Sequence, residues 1–126
     1  MAKIRFKHFS LIPKSFWVWP NFTPREIACR CCGEIIVDTD AMDKLQATRT
    51  HLGSGMTVNC GYRCPIHNAR VGGAPLSEHK KGGAFDIRLT VPKIELYGSA
   101  SIAGFTGYGL KYNSFLHMDN GRRRTW

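Results

Sequence analysis

The chain has 126 residues, 43% of them apolar and 21% charged, with a formal net charge of +9. That length suits one domain with its own core, the composition is globular rather than fibrous or disordered, and no apolar run reaches the ~20 residues of a membrane-spanning helix. The positive balance points to a polyanionic partner: nucleic acid, a membrane surface, or the phosphate- and carboxylate-rich bacterial envelope.

Residues 1–21 are aromatic and basic without a clean period, and are expected to form an arm or edge strands packed on a single domain spanning 1–126. Thr23-Pro24-Arg25-Glu26 reads as a helix start, with Thr23 as N-cap, Pro24 at the first position and Glu26 at the third. That short helix is expected to run into a cysteine cluster and end at Gly33. Asp38, Thr39 or Asp40 can cap the next helix, on which Ala41, Leu45, Thr48 and Leu52 share a face and which Gly53 stops. Met56 to Cys60 reads as a strand ending at Gly61. Residues 65–71 make about two helical turns before Gly72-Gly73. Residues 84–89 alternate as a strand does, 92–102 begin with proline and read as helical, and 108–112 and 115–119 read as strands joined by a turn at Asn113-Ser114. The irregular order and short connections give the α+β class: a small single domain whose mainly antiparallel sheet is flanked by helices.

Five cysteines is an odd count, and they cluster as Cys29, Cys31 and Cys32, then Cys60 and Cys64. One reading is a structural zinc site of four thiolates. The other is a set of small buried residues with one disulfide at most. The four-residue spacing of the second pair is wrong for a zinc knuckle and favours the second reading.

The stretch SEHKKGGAFD, residues 77–86, carries the sharper signal. His79 and Asp86 bracket Gly82, Gly83 and Ala84, whose bare backbone can turn sharply and let the two side chains converge. His117 and Asp119 lie two apart in the late strand and so share a face. Two histidines and one carboxylate are the ligand set of a catalytic zinc site, and the lack of an HExxH helix excludes the helical zincin arrangement. Taken singly each residue has a plainer reading, a satisfied surface histidine or a strand-end aspartate. His8, His51 and His67 receive that plainer reading.

The segments CGYRCPIHNARVGGAPLSEHKKGGAFDIRL and FLHMDNGRRRTW resemble the zinc D-Ala-D-Ala metallopeptidase family, and more closely its short branch from phage, prophage and murein endopeptidases. The shared pattern falls on Gly61, Tyr62, Arg63, Pro65 and Asn68; on Ser77, His79, Gly82, Ala84 and Asp86; and on Phe115, His117 and Asp119. The resemblance implies a Hedgehog/DD-peptidase fold, a zinc ion on His79, Asp86 and His117, and peptidoglycan stems or cross-links as substrate. It also implies that Arg63 binds a substrate carboxylate beside Ser77, since a guanidinium fork holds a carboxylate in two places. Family members with an upstream acid keep it three residues before the last histidine, where this chain has Ser114. Asp119 is therefore expected as the base or water-orienting residue, with Glu78 as the other nearby acid and a carboxylate that only fixes His117 as Asp119's plainer role.

No small-residue cleavage site follows the basic start, so no signal peptide is expected. That favours a phage-type lysin released from the host cytoplasm to the wall, or a virion-associated hydrolase with phage-like particle proteins as partners. Two other classes compete. One is a non-catalytic zinc-containing wall-binding relative, kept open by Ser114. The other is a small zinc nucleic-acid module, supported by the charge, the cysteines and Arg122 to Arg124, a run whose plainer reading is a solvated tail.

Overall fold

The structure is a computed structural model and describes residues 2–126. Its elements in chain order are β1 (Lys3–Phe6), α1 (Pro24–Ile27), β2 (Ile35–Asp38), α2 (Thr39–Leu52), β3 (Val58–Cys60), α3 (Pro65–Arg70), β4 (Ala84–Arg88), α4 (Lys93–Ala103), β5 (Gly107–Gly109), β6 (Phe115–Asp119) and β7 (Arg124–Thr125), with single 3-10 turns at Phe9–Leu11 and Glu78–Lys81. The expected α+β class holds. Five strands form one sheet in the order β3-β4-β6-β5-β7, antiparallel except for the β5–β7 pair, and β1 and β2 form a separate antiparallel ribbon.

The capping logic of the sequence is realised. Thr23 and Glu26 make a full capping box on α1, and Asp38 caps α2 by accepting from the Ala41 amide at 3.1 Å. Gly53 ends α2 in the left-handed conformation. The buried face of α2 is Ala41, Met42, Leu45 and Thr48, and it packs against Leu96, Ser99 and Ala100 of α4. The small residues on both faces allow close approach, and Thr48 satisfies its hydroxyl on the Lys44 carbonyl at 2.7 Å.

Three expectations need correction. Helix α1 stops at Ile27 rather than continuing to Gly33, because Ala28 turns to extended backbone and the cysteines that follow form a tight turn closed by Cys29 N–H to Glu34 O at 2.8 Å. Residues 35–38, which carried no strand expectation, form β2. Their run IIVD does not alternate, since Ile35, Val37 and Asp38 are all buried, so a period-two search passes over them. The segment 78–81, to which the sequence assigned no element, is a 3-10 turn capped by Ser77, whose hydroxyl accepts from the His79 amide at 3.2 Å. The arm does contain an edge strand, and behind it Trp17 and Trp19 meet edge-to-face at 4.9 Å, with Trp19 donating to Asp43 at 2.8 Å.

Gly82 closes the 78–81 turn at φ +80, and a Cβ there would lie 2.6 Å from the Ile36 carbonyl oxygen. Gly53 also has positive φ (+75), yet nothing would meet its Cβ within 4 Å. Gly53→Ala is therefore expected to cost about 1–2 kcal/mol, the left-handed penalty alone. Gly82→Ala adds a backbone collision and should cost clearly more, as read from urea midpoints of the two variants.

Candidate metal centre and substrate cleft

The five-stranded sheet sorts its residues by strict alternation. Phe85 and Ile87 of β4, Leu116 and Met118 of β6, and Tyr108 of β5 enter the main core. Asp86, His117 and Asp119 project from the other face. In the β4–β6 ladder Asp86 pairs directly with His117 and Ala84 with Asp119. On the far side β5 sets Gly107 opposite Asp119 and Gly109 opposite His117. A Cβ at Gly107 would collide with the Asp119 carboxylate and the Arg124 guanidinium, and one at Gly109 with Tyr112, His117 and Trp126. The glycines and Ala84 thus leave the space that the polar groups fill.

Three donor atoms converge. Asp86 Oδ1 lies 3.3 Å from His79 Nε2 and 3.0 Å from His117 Nδ1, and the two imidazole rings stand edge to face at 5.0 Å. The opposite nitrogen of each ring is held by a group that can only accept. His79 Nδ1 is 2.7 Å from the Gly61 carbonyl oxygen, and His117 Nε2 is 2.7 Å from Asp119 Oδ2. Both held nitrogens therefore carry the proton, which turns the lone pairs of His79 Nε2 and His117 Nδ1 toward Asp86. Two lone pairs aimed at a carboxylate oxygen repel unless a cation sits among them, and the donor set of two imidazoles and one carboxylate suits zinc with a position left open. With no ion between them, a ring that carries both protons donates to Asp86 instead; burial alone would push the Asp86 carboxyl up, but the His117 and His79 rings acting as donors outweigh it and hold it well below the usual range. Burial also disfavours a charge on His117, yet the Asp119 and Asp86 carboxylates raise its basicity.

Cys60, opposite Asp86 in the β3–β4 pair, brings its sulfur within 4.8 Å of a donor atom of His79 and of Asp86. Its sulfur lies 3.7 Å from His79 Nδ1, the nitrogen already given to Gly61, so it sits behind the ring rather than beside the open lone pair. Burial, helped by the Asp86 charge, pushes the Cys60 thiol up to about 11. His117 is the better third donor on both counts.

Asp119 has no exposed surface and four hydrogen bonds: from His117 Nε2 and Arg124 Nη2 (3.0 Å) to Oδ2, and from Arg124 Nη1 (3.1 Å) and the Gly121 amide (3.0 Å) to Oδ1. These occupy the ~four lone-pair directions of a carboxylate. Arg124 also lies 4.6 Å over the Trp126 ring. The arginine run is therefore no uniform solvated tail: Arg124 is a working part of this centre, in a strand that pairs with β5. Glu78 is not among the cleft-lining residues; its side chain packs beside Gly121 and pairs with Lys81 at 2.9 Å, and Ser114 is exposed, giving its carbonyl to the Leu89 amide.

The three donors open on a cleft of about 610 Å³ whose wall includes Arg63, Ser77, Tyr112 and Trp126. Arg63 Nη2 donates to Ser77 Oγ at 3.3 Å, while its Nε is buried without a partner. The Gly72–Ala74 side of the cleft is tied down by Asn68, whose amide donates to the Ala74 carbonyl at 3.0 Å.

Residues 20–119 match the family described as Peptidase M15. The chain belongs to that family. A curated relative, the probable peptidoglycan L,D-endopeptidase MepK of Haemophilus influenzae, is 36% identical over 100 residues, covering 71% of this chain and 54% of its own length. The chain thus spans about half of that relative. Peptidase M15 enzymes are zinc-dependent, which agrees with the donor set found here. His79, Asp86, His117, Arg63 and Ser77, named from sequence, lie on one cleft of this M15 chain, with Asp119 directly behind His117. The Gly61 carbonyl, Tyr112, Arg124 and Trp126 were missed. A backbone carbonyl leaves no trace in a sequence, whereas the RRRTW run offered a signal that charge counting flattened.

Burial works against the Asp119 charge, but His117, Arg124 and the Gly121 amide outweigh it and lower its pKa to about 2. A depressed carboxylate stabilises the fold fully above the unfolded value of ~4, and that contribution is lost as pH falls toward the folded one. Between those limits the parent should lose stability that Asp119→Asn does not lose, as followed by thermal unfolding against pH.

Proposed function

We propose that the chain is a zinc-dependent peptidase acting on the peptide stems or cross-links of bacterial peptidoglycan. The observation that carries this reading is the convergence of two imidazole nitrogens on one carboxylate, His79 Nε2 at 3.3 Å and His117 Nδ1 at 3.0 Å from Asp86 Oδ1, in a cleft also lined by Arg63. In this reading His79, Asp86 and His117 hold the ion. Zinc in such a site supplies Lewis acidity toward a peptide carbonyl and lowers the pKa of water. Arg63, steadied by Ser77, takes a carboxylate of the stem peptide through the guanidinium that it presents to the cleft. The net charge of +9 draws the protein to an anionic wall polymer. The name of the Haemophilus relative makes an L,D bond the first to test.

Digestion of purified murein, followed by mass spectrometry of the muropeptides, tests the activity and identifies the bond. Release of stem or cross-link fragments by the parent and none by His79→Ala is the expected result. Binding to murein without any cleavage would instead support the non-catalytic wall-binding reading. Arg63→Lys keeps the charge and loses the fork. A charge-assisted hydrogen bond contributes roughly 1.5–3 kcal/mol, so kcat/KM should fall by about one to two orders of magnitude. Equal efficiency on a defined stem peptide would remove Arg63 from the substrate site.

Asp119, in this proposal, acts on the reaction through His117, because its oxygens are already engaged by four donors. Asp119→Asn should then weaken zinc binding about 10–100-fold together with turnover. A carboxylate that took the proton from water itself would lose about 10²–10⁴-fold in turnover with zinc retained. Zinc titration and murein turnover on the same preparation separate the two roles.

A further inference from the structure

Away from the cleft, four of the five cysteines come together. Cys29, Cys31, Cys32 and Cys64 place their sulfurs within 4.8 Å of one another, with Cys29 to Cys31 at 3.5 Å and Cys31 to Cys64 at 3.6 Å. All are free thiols; Cys29 and Cys64 are buried, Cys31 and Cys32 exposed. From sequence, a set of small buried cysteines is favoured over a four-thiolate zinc site, because Cys60 and Cys64 lie four apart. The fold divides that second pair, sending Cys60 behind His79 and bringing Cys64 to the turn after α1.

We propose that Cys29, Cys31, Cys32 and Cys64 bind a second zinc ion, in a closed structural site of four thiolates. A tetrahedral centre with zinc–sulfur bonds near 2.3 Å sets its sulfurs about 3.8 Å apart, close to the 3.5 and 3.6 Å found here. Two backbone amides already point at sulfur: Cys64 N–H to Cys29 Sγ and His67 N–H to Cys64 Sγ, both at 3.4 Å. Such donors offset thiolate charge. Arg25 and Arg30 line the same surface depression as Cys29, Cys31 and Cys32. The turn that carries three of the ligands is preformed, with Gly33 N–H on the Cys29 carbonyl at 2.9 Å and Gly33 at φ +77. Four ligands leave no open position, so the ion would cross-link and take no part in chemistry. What it would join is specific: the 29–33 turn on one side, and on the other Cys64, next to Arg63 and three residues beyond the Gly61 carbonyl that sets the His79 tautomer.

Metal analysis of the purified full chain tests this. The parent should hold about two zinc ions, and His117→Ala and Cys31→Ser about one each, with about none left when both changes are combined. Cys31 is exposed, which makes its serine variant the one to fold. Cobalt(II) replacement gives a readout on the folded parent itself: a thiolate-to-cobalt charge-transfer band that survives His117→Ala and weakens sharply in Cys31→Ser. A single zinc in the parent that His117→Ala abolishes would overturn the proposal. So would a cobalt parent without the thiolate band, or a thiol count in denatured, unreduced protein showing a disulfide among these four. None of these readouts is activity, so a chain that holds both ions and cleaves no murein would overturn the hydrolytic reading alone.

Discussion

Asp86 faces His117 across the β4–β6 ladder, and the rest of the molecule is arranged around that register. Strand side chains alternate, so a slip by one residue would turn Phe85 and Ile87 toward the cleft and bury Asp86 in the core. Phe85, Ile87, Leu116 and Met118 are essentially without exposure and pack among the side chains of α2 and α4. The hydrophobic core therefore holds the donor atoms at their separations. Core and centre are two faces of one sheet, and the same pairing fixes both.

The second constraint is charge. Asp119 is buried, and a buried carboxylate without partners would cost several kcal/mol. Arg124 supplies two donors, Gly121 a third and His117 a fourth. The last strand, β7, is only two residues long, too short to be held by its ladder alone. The bidentate Arg124–Asp119 pair and the stacking of Arg124 on Trp126 fasten it beside β5, which in turn puts Trp126 5.0 Å from the His117 ring. The C-terminal residues thus complete the cleft wall because they neutralise the charge that orients the His117 ring.

Much of this was legible from residue pattern, for identifiable reasons. Helix α2 announced itself through a cap, an apolar face at helical spacing and a terminal glycine, all local signals. The strands of β4 and β6 alternated cleanly, so the shared face of His117 and Asp119 followed from period two. Local signals failed where partners lie far apart in sequence. Ile35–Asp38 is a strand because β1, some thirty residues earlier, pairs with it in register from Lys3–Asp38 to Phe6–Ile35, and burial on both faces erased the alternation. Which cysteines lie together was hidden for the same reason. Spacing suggested two pairs, while the fold takes one member of the second pair and leaves the other, because Cys60 ends β3 opposite Asp86 and Cys64 begins α3. Spacing led to the expectation of Asp119 as a base, and it could not show the four hydrogen bonds that surround the carboxylate, two of them from an arginine in a run that looked like a tail.

The short segment 60–64 is where these constraints meet. Cys60 closes the sheet against Asp86, and the Gly61 carbonyl holds the His79 ring. Tyr62 is buried with Cys29 and Cys64 in a small cluster of its own, with its amide on the Ile27 carbonyl at 2.8 Å. The Arg63 amide donates to the His79 carbonyl at 3.0 Å while its guanidinium reaches the cleft. Cys64 caps α3 and joins the other thiols. Gly61 is held to the residue type by packing: a Cβ there would lie 2.5 Å from the Ile27 carbonyl oxygen, so the chain can pass α1 closely only without a side chain. That close passage fixes the height of the Gly61 carbonyl relative to His79, and with it which imidazole nitrogen is left open. The thiol cluster and the imidazole–carboxylate site are therefore joined through five consecutive residues rather than across the body of the domain.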